Sequence, residues 1–76
     1  MVELITRIQG NTLNLYDDEI TAQDIGSIME FIGINPHITE LNLTMNNIGD
    51  KGTTDIVKSP YSVQLTCLDL EATNTG

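Results

Sequence analysis

Carboxylates are the side chains of this sequence that come closest to a catalytic pattern. Asp17, Asp18 and Glu19 are adjacent, and Asp69 lies two positions before Glu71. A pair of carboxylates can act as general acid and general base, but only in a pocket that separates their two pKa values. The case for acid–base catalysis therefore depends on whether the elements that carry these residues enclose a pocket.

A calcium site is the next chemistry that the acidic residues suggest. Residues 17–41 resemble the second half of an EF-hand with its linker, because Ile20 and Asp24 stand where such a loop has its hydrophobic residue and its last ligand. The first two ligand positions would then hold Leu13 and Leu15, and neither side chain has the oxygen donor that calcium requires. The sequence therefore predicts no metal and no cofactor.

Nucleophilic catalysis also lacks its components. His37 is the single histidine and Cys67 the single cysteine, and no serine stands in a nucleophile elbow. No cationic residue stands near Cys67 in the sequence to activate its thiol. Because nothing assembles a nucleophile, a base and an oxyanion site, we interpret the chain as a protein without enzymatic activity.

The elements that position these side chains follow an internal repeat. Three segments of the form Leu-Asn-Leu or Leu-Asp-Leu recur at intervals of 28 and 27 residues, at positions 13–15, 41–43 and 68–70. A fixed period of this length indicates a solenoid, in which each unit buries its apolar side against the next. The predicted units are a flank, two repeats and a partial repeat, at residues 1–10, 11–37, 38–64 and 65–76. Because the pattern breaks off within the third unit, we expect a fragment of a longer array.

Each repeat contains a strand and then a helix. Around the Leu-x-Leu segments the apolar period is two, which predicts short parallel strands at residues 12–16, 40–44 and 67–71. Ile25, Ile28, Met29 and Ile32 follow a helical period, which predicts a helix at about residues 22–33.

Capping residues mark the ends of the helices. Thr21 with Asp24 three positions later fits a capping box, and Gly33 suits the left-handed position that often ends a helix. The second helix is predicted at residues 51–58 at most, because Ser59-Pro60 ends it.

These elements predict the fold class. Strands and helices that alternate with a short period require a parallel sheet with the helices outside it. Because a helix is about twice as wide as the spacing between strands, the stack must curve. The predicted fold is a right-handed α/β solenoid, a horseshoe segment with short strands on the concave side and helices on the convex side.

Residues 38–57 resemble a leucine-rich repeat of the ribonuclease-inhibitor-like subfamily. The family pattern LxxLxLxxNxLGDxGxxxL is matched by Ile38, Leu41, Leu43, Asn46, Ile48, Gly49, Asp50, Gly52 and Ile56. The neighbouring units depart from the pattern: Asp18 and Thr73 replace the asparagine, and Asp24 replaces the second glycine.

The resemblance implies structural roles for three residues. Asn46 is expected inside the turn after its strand, where its amide bonds backbone groups that the repeats leave unpaired. Asp18 can only accept when ionised, and Thr73 is shorter, so we expect an imperfect ladder at both ends. Gly49 and Gly52 are expected to permit the tight turn into the helix and close packing.

Side-chain alternation along the strands predicts a binding surface. With the leucines inward, the residues between them point to the concave face, and the repeat places them in three rows. The rows are Thr12, Glu40 and Cys67, then Asn14, Asn42 and Asp69, then Tyr16, Thr44 and Glu71. This surface is polar and acidic, and Tyr16 is its one aromatic residue.

The charge of the chain limits its partners. Eleven acidic residues against three basic ones give a net charge of -8. Nucleic acids and anionic membranes require a basic surface, so both are excluded. A protein with a basic surface would be attracted.

We expect a protein-interaction module that acts in the cytoplasm, or inside a host cell after secretion by a bacterium. What the resemblance implies is recognition of a partner protein on the concave face. Two alternatives remain open. The chain can be a structural cap or a fragment that self-associates through its open C-terminal edge. A catalytic domain outside the sequence can also carry an activity.

Overall fold

A four-stranded sheet covered by two α-helices forms the fold of residues 3–71, which are the residues that the computed structural model describes. The strands are β1 (Ile8–Gln9), β2 (Thr12–Asn14), β3 (Glu40–Asn42) and β4 (Cys67–Asp69). The helices are α1 (Ile25–Gly33) and α2 (Gly49–Lys58), and the 3-10 helices are Leu4–Arg7, Ala22–Asp24 and Pro60–Gln64.

The sheet is mostly parallel, and its strands lie in the order β1-β2-β3-β4. Leu13 pairs with Leu41, and Leu41 pairs with Leu68, both between parallel strands. The prediction of parallel strands in this register is therefore confirmed. The chain is a small α/β structure, in which each helix connects one parallel strand to the next.

Strands β2, β3 and β4 each end two residues earlier than predicted. The last residue of each strand accepts, at its side-chain Oδ1, the backbone N–H of the residue two positions later. These bonds are Tyr16 to Asn14 at 3.2 Å, Thr44 to Asn42 at 2.9 Å and Glu71 to Asp69 at 3.3 Å. At the ends of β3 and β4, this bond takes the N–H that would otherwise continue the pairing with the preceding parallel strand.

The hydrophobic core lies between the sheet and the helices. The strand leucines Leu13 and Leu41 are buried at 0% and 1% exposure. The helical stripe predicted for α1 is also buried, and it comprises Ile25, Ile28, Met29 and Ile32. The strand leucines and the helical stripe therefore pack together in one apolar cluster.

The helix predicted at residues 22–33 is divided into a 3-10 helix, Ala22–Asp24, which the capping box begins, and α1, which starts at Ile25. The Asp24 carboxylate accepts from the backbone N–H of Thr21 at 3.0 Å, as the capping box predicts. Gly33 ends the helix, but its φ is not left-handed, so that prediction is wrong. The glycine serves packing instead, because a Cβ there would lie 2.6 Å from ring atoms of Tyr61.

Helix α2 begins two residues earlier than the predicted 51–58. The N–H of Gly52 bonds to the carbonyl of Ile48 at 3.0 Å, so the first helical turn already includes Gly49. Gly49 has a φ of 63°, a conformation that side chains with a Cβ disfavour. The helix ends at Lys58, before Ser59, as predicted.

The N-terminal flank forms an unpredicted cap on the sheet. Strand β1 pairs antiparallel with β2, where Ile8 lies opposite Leu13. Arg7 donates from Nε to Asp18 Oδ2 at 2.8 Å and from Nη2 to Oδ1 at 3.4 Å. Among residues 3–71, no helix is long and apolar enough to cross a bilayer.

One amide side chain joins the 3-10 helix Pro60–Gln64 to the end of α1 and the segment after it. Gln64 Nε2 lies 2.8 Å from the carbonyl of Ile32, 3.0 Å from that of Asn35 and 2.8 Å from that of Ile38. The first two carbonyls belong to the end of α1 and the residues just after it, where backbone oxygens have no partner inside the helix. Gln64 therefore ties the second repeat to the C-terminal end of the first helix.

We predict that Gly52→Ala destabilises the fold by about 1–2 kcal/mol, although alanine is the better helix former. The added Cβ would lie 2.7 Å from Ile48 Cβ, which is buried and close to the backbone. Chemical denaturation followed by circular dichroism measures the change. Gly26→Ala in α1 is the matched control, because a Cβ there meets no atom within 4 Å. That variant should gain stability, and equal gains in both would contradict the packing argument.

Candidate functional site

Asn46 is the polar side chain that holds the two repeats together at the ends of their strands. It is 3% exposed. Its Oδ1 accepts from the N–H groups of Asp18 at 3.0 Å and Ile20 at 2.9 Å. Its Nδ2 donates to the carbonyls of Leu15 at 2.7 Å and Leu43 at 2.9 Å.

These bonds follow from the way the strands end. The N–H of Thr44 is bonded to Asn42, and that of Glu71 to Asp69, so neither is available to a neighbouring carbonyl. Asn46 supplies the donor that the carbonyls of Leu15 and Leu43 need. Buried backbone groups without a partner are costly. The turn therefore requires a side chain that both donates and accepts, as asparagine does.

The strand register brings two of the three predicted rows together. Thr12 pairs with Glu40, which pairs with Cys67. Asn14 pairs with Asn42 in the same way, and Asn42 pairs with Asp69. All these side chains are at least partly exposed, whereas Leu13 and Leu41 between them are buried. We call the three rows the polar strand face.

The third row lies beyond the ends of the strands. The backbone ladder continues there, since Asp17 donates to the carbonyl of Thr44 at 2.9 Å and Met45 to that of Glu71 at 3.0 Å. Tyr16 is 55% exposed, so its ring is open to contact. Thr44 Oγ1 is buried and has no hydrogen-bond partner among the described residues.

The charges of the polar strand face are acidic. Glu40 and Asp69 lie on neighbouring strands, and Glu71 follows Asp69 on the same edge. Two of the three basic side chains are engaged elsewhere, Arg7 with Asp18 and Lys51 with Asp55. The face therefore attracts positive charge.

The carboxylates that were considered for acid–base catalysis lie in different surroundings. The carboxylate of Asp18 is held by Arg7, while Asp17 and Glu19 are exposed. Asp69 and Glu71 are on the strand face, away from that cluster. Within residues 3–71, no group of three His, Cys, Asp or Glu side chains is arranged to hold a metal ion.

Sequence reasoning missed Arg7 and Gln64. Arg7 binds Asp18 after the first parallel strand, and Gln64 binds carbonyls at the end of α1 and after it. A signal for Arg7 was present, because Asp18 stands at the asparagine position and accepts without donating. Such a residue needs a donor from the preceding segment, and Arg7 is the donor found. Gln64 has no counterpart one period earlier, where Pro36 and His37 stand, so the repeat gave no signal for it.

Comparison with known families agrees with this geometry. Residues 35–56 match a family model described as Leucine Rich repeat. No curated protein and no solved structure matches the chain. The matched segment contains β3, Asn46 and the first part of α2, and it supports a leucine-rich repeat protein. Repeats of this kind generally mediate protein–protein interaction.

We predict that Asn46→Ala lowers the free energy of unfolding by about 1–3 kcal/mol, because buried amides and carbonyls lose their partner. Urea denaturation with a two-state fit measures the loss. Asn11→Ala is the matched control, since Asn11 is exposed and its side chain makes one bond, to Thr39. That control should change stability by less than about 0.5 kcal/mol. Similar losses for both variants would refute the role given to Asn46.

Proposed function

We propose that this protein is a non-catalytic module of ribonuclease-inhibitor-like leucine-rich repeats that binds a partner protein on the polar strand face. The repeats are residues 11–37 and 38–64, with a flank before them and a partial repeat at 65–76. The face is the concave side of a curved solenoid. The module acts in the cytoplasm, or in a host cell into which a bacterium secretes it.

The in-register rows of the polar strand face carry the proposal. Asn14, Asn42 and Asp69 lie side by side on three adjacent strands. Each fixes its own orientation by accepting a backbone N–H through Oδ1. Side chains that are already ordered lose little entropy when a partner binds, which favours their use in recognition.

The third row adds the contacts that a protein partner would use. Tyr16 offers a large exposed ring, and tyrosine is frequent among residues that dominate interface energies. The acidic Glu40, Asp69 and Glu71 favour a partner with a basic surface.

We predict that changing the face weakens capture of the partner without unfolding the protein. The test variant combines Tyr16→Ala, Glu40→Lys and Glu71→Lys, because these side chains are exposed or half-buried and none of them caps a strand. It is used as bait in a pull-down from the source cell beside the wild-type chain. A protein captured by the wild type should be lost, because reversed charges repel a basic surface. Circular dichroism confirms that each bait is folded.

The control reverses one acidic charge outside the polar strand face. Glu3→Lys is suitable because Glu3 is exposed in the N-terminal flank and only its backbone carbonyl bonds to Thr6. This control should capture the partner as well as the wild type does. Capture that persists with the triple variant would exclude the polar strand face as the binding surface.

A second candidate function is self-association along β4. Leu68 and Leu70 pack against the core but stay partly exposed, whereas their counterparts Leu41 and Leu43 are buried at 1% and 0% exposure. An incompletely covered apolar edge gains free energy when a second copy covers it. This observation favours a structural role in which copies of the chain pair through the last strand.

Sedimentation velocity over a wide range of concentration tests the second candidate. If β4 pairs with another copy, the sedimentation coefficient should rise with concentration. Leu68→Lys should abolish that rise, because a charge cannot be buried in the contact without a partner. A concentration-independent monomer would rule out self-association and leave the binding proposal untouched.

A further inference from the structure

A groove on the helical side of the molecule has no part in the binding surface proposed above. It lies between α1 and the segment formed by α2 and the following 3-10 helix, and its volume is about 220 Å³. Met29 of α1 is buried and belongs to the lining, and Tyr61 lies at the other wall. The groove lies across the core from the polar strand face, so the two can bind independently.

Two carboxylates flank the groove from opposite elements. Glu30 comes from α1 and Asp55 from α2, and both belong to its lining. Asp55 already bonds to Lys51 at 2.9 Å, but this pair lies on one helix and Lys51 is 78% exposed. Exposed pairs of this kind are weak, so Asp55 can exchange its partner at little cost.

The aromatic wall is fixed in place. Ser59 Oγ accepts from the N–H of Tyr61 at 3.2 Å, which sets the turn that carries the ring. The ring lies against Gly33, where a Cβ would come within 2.6 Å of it. An ordered aromatic ring and two carboxylates that line the same groove both attract cations, the ring through its quadrupole and the carboxylates through their charges.

Gly26 keeps the groove open. It belongs to the lining, and a Cβ built on it would meet no atom within 4 Å. A glycine inside a helix costs about 1 kcal/mol relative to alanine. No packing constraint of the kind found at Gly33 or Gly52 accounts for this glycine.

We propose that this groove binds a lysine side chain of a partner protein. The ammonium group lies between Glu30 and Asp55, and the methylene stem lies on Met29 and beside Tyr61. The volume is smaller than the about 300–1,000 Å³ of pockets for drug-sized ligands, so one long side chain fits better than a metabolite. The charges select a cation over an acidic or apolar side chain.

Nuclear magnetic resonance with a short peptide tests this proposal. An acetylated and amidated tri-lysine peptide is titrated into the ¹⁵N-labelled chain, and amide shifts are followed. Saturable shifts are expected at Gly26, Glu30 and Tyr61, and the peptide with acetylated lysine side chains should leave them unchanged. Shifts that occur only at Asn14, Asn42 and Asp69, or shifts that spread over all acidic residues without saturation, would overturn it.

Two variants separate groove filling from loss of fold. Gly26→Leu fills the groove with a good helix former, so the melting temperature should be equal or higher while the saturable shifts disappear. Ser27→Leu is the matched control, because Ser27 is the next residue of α1, is exposed and does not line the groove. It should bind the peptide as the wild type does. Unchanged binding by Gly26→Leu would refute the site.

Charge variants test the role of the two carboxylates. Glu30→Gln should raise the Kd of the tri-lysine peptide by about fivefold, as expected for one solvent-accessible charge pair. Lys51→Gln should lower the Kd, because it removes the cation that competes for Asp55. A Kd that is the same in both variants and in the wild type would contradict the proposal.

Discussion

The hydrogen bonds of Asn46 are the constraint on which the rest of the structure depends. The side chains of Asn42 and Asp69 each take the N–H two residues ahead, and this leaves two carbonyls of the preceding strands without donors inside the protein. One buried amide group bonds those carbonyls and also the N–H groups of the preceding turn. The turn can therefore be tight, and successive strands keep the register that aligns the polar strand face.

Much of this arrangement could be predicted from the period of the sequence. The leucine pairs located the three parallel strands and their register, and the helical stripe located α1. Both signals depend on residues that are close together in the sequence, so a short chain contains them in full. The positions of the polar strand face followed directly, because alternation along a strand fixes which side chains share a side.

The features that the sequence did not reveal depend on single contacts between distant residues. Strand β1 and Arg7 precede the first repeat and have no counterpart one period later. Gly33 has the residue type of a helix-ending glycine, but the ring of Tyr61 is what requires it. The earlier start of α2 depends on one backbone bond between Gly52 and Ile48. The residue types near this bond are weak helix formers, so they did not predict that the helix begins there.

The distance along the chain between Asn46 and its partners has a consequence for biosynthesis. Its bonds to Leu15, Asp18 and Ile20 span 26 to 31 residues. While the ribosome is still making the second repeat, the turn of the first has no amide to close it. The bonds that close the turn of the first repeat therefore form only after Asn46 has left the exit tunnel.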